Sequence, residues 1–507
     1  MKLKTIDRQT DIAIFLDMQI PLDDLYNDIW GRNTFAKRLR SAVQMLTEIE
    51  NAGYEAYIAG GFVRDLVRFD LEKGYDTWRS DMEAHFRIHM GNYPTSTIAK
   101  LIAMHEYLKE GDGGFNDIDI ATNMPVEMLE KEYECKSNHG EAHGTILVIR
   151  DGFAFEVTQF RVDGEYTDGR HPDSVTWASS FSDDTARRDF TVNALGMNAD
   201  GDIVDYHHGI ADLQNHVIRC VGDPEQRFNE DALRMLRAIR FAAKFEFEID
   251  QATKDAIIKC APGIAKVAME RVWNEIDKIL KTCDAKKIRR FLKLVEFTGV
   301  AKHFDPKGYV NWSAASSLIK RYVNINGRTD IPKTVSACLL FLPSGVGLTG
   351  KFAKNGLLAA MRHYRTTADV MDRVVWYSTM TARLGELEFD LSYFDNRRRY
   401  PEETEGRRII DILDILDHRF AISFLRIYPA LVSDYEHDFD QAVAIVQSIR
   451  DRIPTKADVV QSLQRVGVGQ HKFRTVLNQA YEKICRDAIG VPYLEDRQID
   501  KLVATLK

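Results

Sequence analysis

Two aspartates separated by one residue, Asp117 and Asp119, are the side chains of this sequence best suited to chemistry. In the segment FNDIDIAT they alternate with Ile118 and Ile120, a pattern typical of a β-strand. Side chains alternate across a strand, so both carboxylates are expected on one face. Such a pair can hold divalent cations, which clamp the attacking and leaving oxygens of a phosphoryl transfer. Aspartate pairs also occur on ordinary solvated strands, so this motif alone leaves both interpretations open.

A paired-glycine turn precedes the aspartates in the chain. Gly60 and Gly61 end the β-prone run YEAYIAGG, and Arg64 follows on a segment with helical character. Glycines allow backbone N–H groups to approach a triphosphate, and arginine can pair with its oxygens. A tight turn beside an ordinary surface arginine is the alternative for this motif taken alone.

Two arginine-rich segments follow the aspartates. The segment TARRDFTVNALGM contains Arg188, whose guanidinium group suits phosphate. In EDALRMLRAIRF four polar residues recur at three-residue steps, which predicts one helical ridge able to contact bases and phosphates: Asp231, Arg234, Arg237 and Arg240. A solvated basic helix face is the alternative.

The elements that must position these residues are mixed at first and helical later. Residues 34–52 predict an amphipathic helix that ends at Gly53, and TILVIR and FAFEVTQF predict two strands joined by a turn. Glu156, in the second of these strands, is a candidate third carboxylate. Beyond Asn229 nearly every pattern is helical. The sequence therefore predicts an α+β region with a small mixed sheet, followed by helices only.

Composition excludes several classes of protein. The chain has 507 residues, enough for about three domains, and its 45% hydrophobic and 28% charged residues are typical of a globular protein. A net charge of −8 argues against binding nucleic acid through overall charge, although local basic faces remain possible. The six cysteines are scattered, and no signal peptide or membrane span is evident. We therefore expect a cytoplasmic protein without a membrane partner.

Residues 35–247 resemble the class II CCA-adding enzymes and bacterial poly(A) polymerases of the polymerase-β-like nucleotidyltransferase superfamily. Five blocks carry the resemblance in order: YEAYIAGGFVRD, DIDIATNMPVEML, HGTILV with FEVTQFRVDGEYTDGRHPD, ARRDFTVNALGM, and GDPEQRFNEDALRMLRAIRFA. The run HGEAHGTILVIRDG is similar to the tRNA branch rather than to the poly(A) branch. The segment EYTDGRHPDSVTWASSFSDD is similar to a flexible loop of the CCA enzymes, which helps them to switch from C to A.

The resemblance implies a role for each matching residue. Asp117 and Asp119 would bind Mg²⁺, while Gly60, Gly61 and Arg64 would hold the triphosphate and Arg188 would contact the nucleotide. Asp231 and Arg234 would read the Watson–Crick edge of C or A in place of a template, assisted by Arg237 and Arg240. The partners implied are the tRNA 3′ end, CTP and ATP, and the oligomeric state stays open. Three alternative functions stay open: a poly(A) polymerase, an enzyme that adds only CC or only A to tRNA, and a non-catalytic RNA-binding protein.

The resemblance also implies the domain organisation. The expected regions are an N-terminal extension (1–33), a nucleotidyltransferase head (34–215), a helical neck carrying the reading helix (216–300), and a helical body and tail that bind tRNA (301–507). The sequence departs from the family by an insertion at 66–115 and by His208, which replaces a glycine in DYHHGIADL. Some relatives carry a C-terminal metal-dependent phosphohydrolase domain, which needs a His-Asp pair and companion histidines. His437-Asp438 is the only His-Asp pair in this sequence and has no evident companions, so this activity is not expected.

Overall fold

A computed structural model describes most of the first three hundred residues and several later helices. The described residues are 34–73, 117–136, 144–164, 174–199, 202–327, 329–342, 350–386, 456–469 and 496–506, with short pieces between 472 and 480. They fall into two compact units, Met1–Thr282 with Leu294–Phe304, and Cys283–Lys293 with Asp305–Lys507. Four predicted features lie outside the described residues: the N-terminal extension, His437-Asp438, the first nine residues of the 165–184 segment and most of the 66–115 insertion.

The first unit is built on a mixed sheet, as the sequence predicts. Seven strands of the described part pair in the order Glu134–Lys136, Thr145–Arg150, Phe153–Gln159, Asp119–Thr122, Ala56–Ala59, Leu195–Met197 and Ile203–Asp205. Within this sheet only Asp119–Thr122 and Phe153–Gln159 run parallel. These strands are β1 (Ala56–Ala59), β2 (Asp119–Thr122), β3 (Glu134–Lys136), β4 (Thr145–Arg150), β5 (Phe153–Gln159), β8 (Leu195–Met197) and β9 (Ile203–Asp205). Two short ribbons add β6 (Arg161–Asp163) with β7 (Val175–Trp177), and β10 (Val217–Ile218) with β11 (Glu248–Ile249).

Helices of the first unit pack on this sheet and continue beyond it. The helix predicted from residues 34–52 packs against β1 and β5 and buries Leu46 and Ile49 completely. Among the described residues up to Thr282, the helices are α1 (Thr34–Asn51), α2 (Gly61–Lys73), α3 (Val126–Glu132), α4 (Phe181–Ala186), α5 (Gly209–Gln214), α6 (Pro224–Glu230), α7 (Leu233–Phe245), α8 (Gln251–Cys260) and α9 (Met269–Thr282). The predicted α+β class is confirmed, and the first eight residues of the 66–115 insertion extend α2.

One predicted feature of the arginine ridge is wrong. Asp231 is not on the helix that carries Arg234, Arg237 and Arg240; it lies in extended backbone (φ −144°, ψ 102°) between α6 and α7. Its carboxylate accepts a hydrogen bond from the Leu233 amide at 3.1 Å, next to the start of α7. Aspartate is favoured at such a position because its side chain satisfies an amide that the helix leaves without an acceptor. The chain therefore breaks between the aspartate and the arginines.

His208, which departs from the family's glycine, adopts the left-handed conformation that glycine favours (φ 62°, ψ 30°). The helix start at α5 is held instead by Asp205, whose carboxylate accepts from the amides of His207, Gly209 and Ile210 at 2.9–3.1 Å. At Gly209 no side chain fits, since a Cβ would lie 2.2 Å from the Thr191 carbonyl oxygen. The histidine thus preserves the turn at a conformational cost.

We expect His208→Gly to stabilise the protein by about 1 kcal/mol, because the left-handed region costs a residue with a Cβ roughly that amount. The midpoint of chemical denaturation would measure it. Lys254→Gly, within helix α8, is the matched control and should destabilise by about 1 kcal/mol. A histidine variant that loses stability would contradict the strain argument.

The second unit is helical where it is described. The helix Trp312–Asn326 is capped at its start by Asn311, whose side chain accepts from the Ala314 amide at 2.9 Å, and at its end by Gly327 in the left-handed conformation. In the described part of the chain, the helices beyond Thr282 are α10 (Ala285–Phe297), α11 (Ala301–Phe304), α12 (Trp312–Asn326), α13 (Lys333–Phe341), α14 (Gly350–His363), α15 (Ala368–Glu386), α16 (Lys456–Arg465) and α17 (Asp496–Leu506). Of these, α11 and the last residues of α10 belong to the first unit. Among the described residues, no helix is both long enough and apolar enough to cross a bilayer.

Candidate active site

The two aspartates are placed by the central strand of the sheet. Ile118 and Ile120 are buried at 1% exposure each, while Asp117 and Asp119 are exposed, as strand alternation requires. Asp119 begins β2 and lies opposite Ala59 of β1 on one side and Glu156 of β5 on the other. Glu156 is therefore the neighbour of Asp119 across the parallel pair, which keeps it as a candidate third carboxylate.

Crowding of negative charge marks this point of the sheet. Desolvation, followed by the charges of Glu156 and Asp117, raises the pKa of Asp119 to about 6, against the opposing effect of Arg188 and Arg38. A divalent cation would offset this repulsion, so the carboxylates present fit such an ion. In the described part of the chain no three His, Cys, Asp or Glu side chains form a ready-made metal cage. The remaining ligands of a cation would have to come from phosphate oxygens and water, as is usual for Mg²⁺.

A pocket of about 500 Å³ opens beside Asp119. Most of the predicted site residues line it, and six arginines face three aspartates across it, an excess of positive charge suited to a triphosphate. The lining residues are Gly60, Gly61, Arg64, Asp119, Arg187, Arg188, Asp189, Asn193, Asp231, Leu233, Arg234, Arg237, Phe241 and Arg271. Asp117 and Arg240, the other two predicted residues, are not among them.

The glycine turn brings β1 to the pocket and starts α2 there. Gly60 has φ +75°, which favours glycine, and its own amide donates to the Leu195 carbonyl at 3.1 Å. A Cβ at Gly60 would lie 3.3 Å from the guanidinium of Arg188. The amides of the first turn of α2, which an α-helix leaves without internal acceptors, begin at this turn and suit an anion.

Arg64 is a buried wall residue of the pocket, at 7% exposure. Its guanidinium donates to both Asp65 oxygens at 2.8 Å and to the Asn193 side-chain oxygen at 2.7 Å. Asn193 then donates to Asp189 at 3.0 Å, and Asp189 pairs with Arg237 at 2.6 Å. This chain of hydrogen bonds ties the glycine turn to helix α7. Through it, the positions of Arg64 and Arg237 depend on each other.

Asp189 is kept charged by its partners. Burial alone would raise the pKa of its carboxyl, but the charge of Arg237 and hydrogen bonds from Asn193 and Arg237 outweigh burial and hold the pKa below its ordinary value. The Arg237 guanidinium in turn has its pKa raised, mainly by Asp189. The pair therefore stays ionised next to the pocket.

The predicted base-reading residues are each held by a different neighbour. Arg234 donates to Glu230 at 2.6 Å and to the Arg187 carbonyl at 3.2 Å. Asp231 pairs with Arg271 of α9 at 2.7 Å. Arg240 is buried, pairs with Glu275 at 2.6 Å and stacks 4.1 Å from the centroid of the Phe241 ring. Its place in the structure is behind the pocket wall.

Asn193, Phe241 and Arg271 are among the pocket residues that were not singled out from the sequence. Asn193 and Phe241 lie within two of the sequence blocks that match the family, and Phe241 directly follows Arg240. Their position in these blocks could therefore have identified them as candidate site residues. Phe241 packs under the guanidinium groups of Arg64 and Arg237, at 5.3 and 5.6 Å from its ring centroid. Arg271 lies on a later helix, beyond every matching block, and only the tertiary structure brings it to the pocket.

Two segments of the chain match models of known protein families. Residues 106–219 match the poly A polymerase head domain, and residues 246–307 match a segment described as the probable RNA and SrmB-binding site of polymerase A. The first of these segments therefore resembles the head domain of poly A polymerases. The chain is also 39% identical over 236 residues to the CCA-adding enzyme of Limosilactobacillus reuteri and 38% identical over 239 residues to that of Leuconostoc mesenteroides.

The match to these nucleotidyltransferases covers 46% and 47% of this chain and 48% and 49% of theirs, so it spans about half the length of the curated relatives. Solved structures resemble the fold over more of the chain. The Bacillus stearothermophilus CCA-adding enzyme in complex with CTP has a TM-score of 0.56 at 22% identity, covering 88% of this chain and 92% of its own. The Thermotoga maritima CCA-adding enzyme complexed with tRNA has a TM-score of 0.58 at 17% identity, covering 98% of both chains.

Proposed function

We propose that this protein adds CCA to the 3′ end of tRNA from CTP and ATP without a template. The observation that carries the proposal is the pocket itself, which combines Asp119 of β2, the glycine turn, and the Asp231 and Arg234 side chains around one cavity of about 500 Å³. The likeness of the head to CCA-adding enzymes supports the same activity. Residues 246–307, which match an RNA-binding segment, support an RNA substrate.

In the proposed reaction the terminal 3′-hydroxyl of tRNA attacks the α-phosphate of the nucleotide, and pyrophosphate leaves. Asp117 and Asp119 would hold divalent cations, which we propose to be Mg²⁺. When bound, such cations lower the pKa of the attacking hydroxyl and offset the charge on the transferred group. The pocket arginines and the first turn of α2 orient the triphosphate. Asn193 holds the Arg64 and Asp189 side chains in fixed positions relative to each other, because it hydrogen-bonds to both.

Selection of the base falls to Asp231 and Arg234 in this proposal. A carboxylate only accepts hydrogen bonds and a guanidinium only donates them, so the two together present the pattern of a pairing base. They lie in adjacent stretches of backbone, at the break before α7 and in its first turn. We expect Arg237 to support them through Asp189, and Arg240 to act only by fixing α7 from behind.

Incorporation of labelled CTP and ATP, separately and together, into tRNA transcripts ending at the discriminator base, at C or at CC tests the proposal. Addition that proceeds through CCA and then stops is the expected result. Long A tails would assign a poly(A) polymerase, and addition of only CC or only A would assign a partial adder. Absence of any incorporation would favour a non-catalytic RNA-binding protein.

We also propose a cytoplasmic location. Among the described residues Cys135, Cys220, Cys260, Cys283 and Cys338 are all free thiols, as is usual in a reducing compartment. Fractionation of cells expressing the protein would test this location.

A further inference from the structure

We propose that Arg271 is a specificity-determining positioning residue, which holds the Asp231 carboxylate in the orientation that reads the incoming base; this inference rests on the proposed function of Asp231. Arg271 lies on α9, forty residues after Asp231, and lines the same pocket. Its guanidinium donates to the Asp231 Oδ2 atom at 2.7 Å.

The Asp231 side chain is fixed at both oxygens. Oδ1 accepts from the Leu233 amide at 3.1 Å and Oδ2 accepts from Arg271. Only the second bond comes from another element of the fold. Since Asp231 lies in extended backbone between two helices, no helical packing of its own orients the carboxylate. Arg271 therefore supplies the constraint that a helix would otherwise give.

The pair is well shielded, which strengthens its bond. The side chains of Arg271 and Asp231 are 24% and 17% exposed. Charge-assisted hydrogen bonds in such surroundings are shorter and stronger than those between neutral groups. Each carboxylate oxygen retains a further lone pair, so Asp231 can accept a hydrogen bond from a base while Arg271 holds it.

Helix α9 is itself anchored to the reading helix. One turn after Arg271, Glu275 pairs with Arg240 of α7 at 2.6 Å, and both of these side chains are buried. Residues four apart share a helix face, so one face of α9 carries both Arg271, which pairs with Asp231 just before α7, and Glu275, which pairs with Arg240 on α7. The buried pair sets the spacing of the two helices, and the Arg271 pair then aims Asp231 into the pocket.

The chemistry of the bases links this orientation to selectivity. Cytosine N4 and adenine N6 donate hydrogen bonds, whereas the oxygens of uracil and guanine at the corresponding positions accept them. A correctly aimed carboxylate therefore binds C and A and repels U and G. Loss of one such discriminating hydrogen bond corresponds to about a tenfold change in relative affinity. Release of Asp231 from Arg271 should thus lower selectivity more than it lowers overall binding.

Equilibrium affinities of the full-length protein for CTP, ATP, UTP and GTP, measured with Mg²⁺, test the inference. We expect Arg271→Gln to lower the ratio of CTP to UTP affinity about tenfold. Arg271→Lys keeps the charge but loses the planar fork, so it should lower the ratio by at least about threefold. Lys259→Gln is the control. It breaks an exposed ion pair between Lys259 on α8 and Glu225 on α6 and should leave the ratio of CTP to UTP affinity unchanged.

A double-mutant cycle separates positioning from general damage. If Arg271 acts through Asp231, Arg271→Gln should cause no further loss of selectivity in an Asp231→Asn background. An unchanged ratio in Arg271→Gln, or equal weakening of all four nucleotides, overturns the inference. If Arg271→Gln does not fold, an undiminished ratio in Arg271→Lys overturns it. Binding selectivity that depends on Arg271 without any incorporation would refute the proposed function alone; CCA addition with selectivity independent of Arg271 would refute this inference alone.

Discussion

Asp119→Asn should reduce nucleotide incorporation by roughly a thousandfold. Asparagine has the shape of aspartate but cannot hold a divalent cation as tightly, and metal stabilisation of a phosphoryl transfer is worth several kcal/mol, with each 1.36 kcal/mol a factor of ten in rate. The substitution also removes repulsion by Glu156 and Asp117, so the fold should be no less stable. Single-turnover incorporation into a tRNA ending in CC would measure the rate.

The control for this prediction is Glu134→Gln, an exposed carboxylate on β3 at the edge of the same sheet. It should incorporate at the unmodified rate. Titration with Mn²⁺ as a spectroscopic probe gives a second readout, because Asp119→Asn should weaken Mn²⁺ binding and the control should not. An Asp119→Asn protein that keeps its rate to within a few-fold would remove Asp119 from the catalytic role.

Glu275→Ala should destabilise the protein by about 3–5 kcal/mol, because it leaves Arg240 buried without its partner. The Arg240 and Glu275 side chains are 10% and 3% exposed, and the Arg240 guanidinium lies 4.1 Å from the centroid of the Phe241 ring. Burial opposes ionisation of Glu275, but the charges of Arg240 and Arg237 and a hydrogen bond from Lys278 outweigh burial and lower the pKa. Chemical denaturation at neutral pH would measure the loss.

The lowered pKa gives this prediction a pH dependence. A carboxyl with a lower pKa in the folded state contributes stability above its unfolded pKa, and that contribution is lost as the pH falls through the folded value. Glu275→Ala should therefore lose less stability than the parent protein between neutral and acidic pH. Lys278→Ala is the control: Lys278 is 54% exposed, so its loss should cost no more than about 1 kcal/mol.

Replacing both partners of the buried pair distinguishes an unpaired charge from lost packing. Arg240→Met with Glu275→Leu removes both charges and keeps most of the volume, so it should recover much of the stability lost in Glu275→Ala. A double variant as unstable as the single variant would mean that packing of α7 against α9, rather than the unpaired arginine, accounts for the effect.

The sequence by itself determined the local elements and most of the site. Alternation in FNDIDIAT predicted that Asp117 and Asp119 share one face of a strand, and period-3.6 patterns predicted α1 and most of α7. Both signals depend only on neighbouring residues. The paired glycines predicted the position of the turn, because glycine is the residue favoured where φ is positive, as it is at Gly60. The roles of the site residues, apart from this geometry, stay proposals.

Only the tertiary structure decided how these elements meet. Local periodicity predicted that the helix α7 includes Asp231. In the structure Asp231 has an extended backbone, which is favoured by a hydrogen bond from the Leu233 amide to its carboxylate and by its pair with Arg271. Similarly, Arg240 follows the same three-residue step as Arg237, yet Glu275 draws it behind the pocket wall. Both outcomes depend on α9, whose residues Glu275 and Arg271 lie 35 and 40 residues after their partners in the chain. Ion pairs between distant helices have no periodicity in sequence, so local patterns cannot predict them.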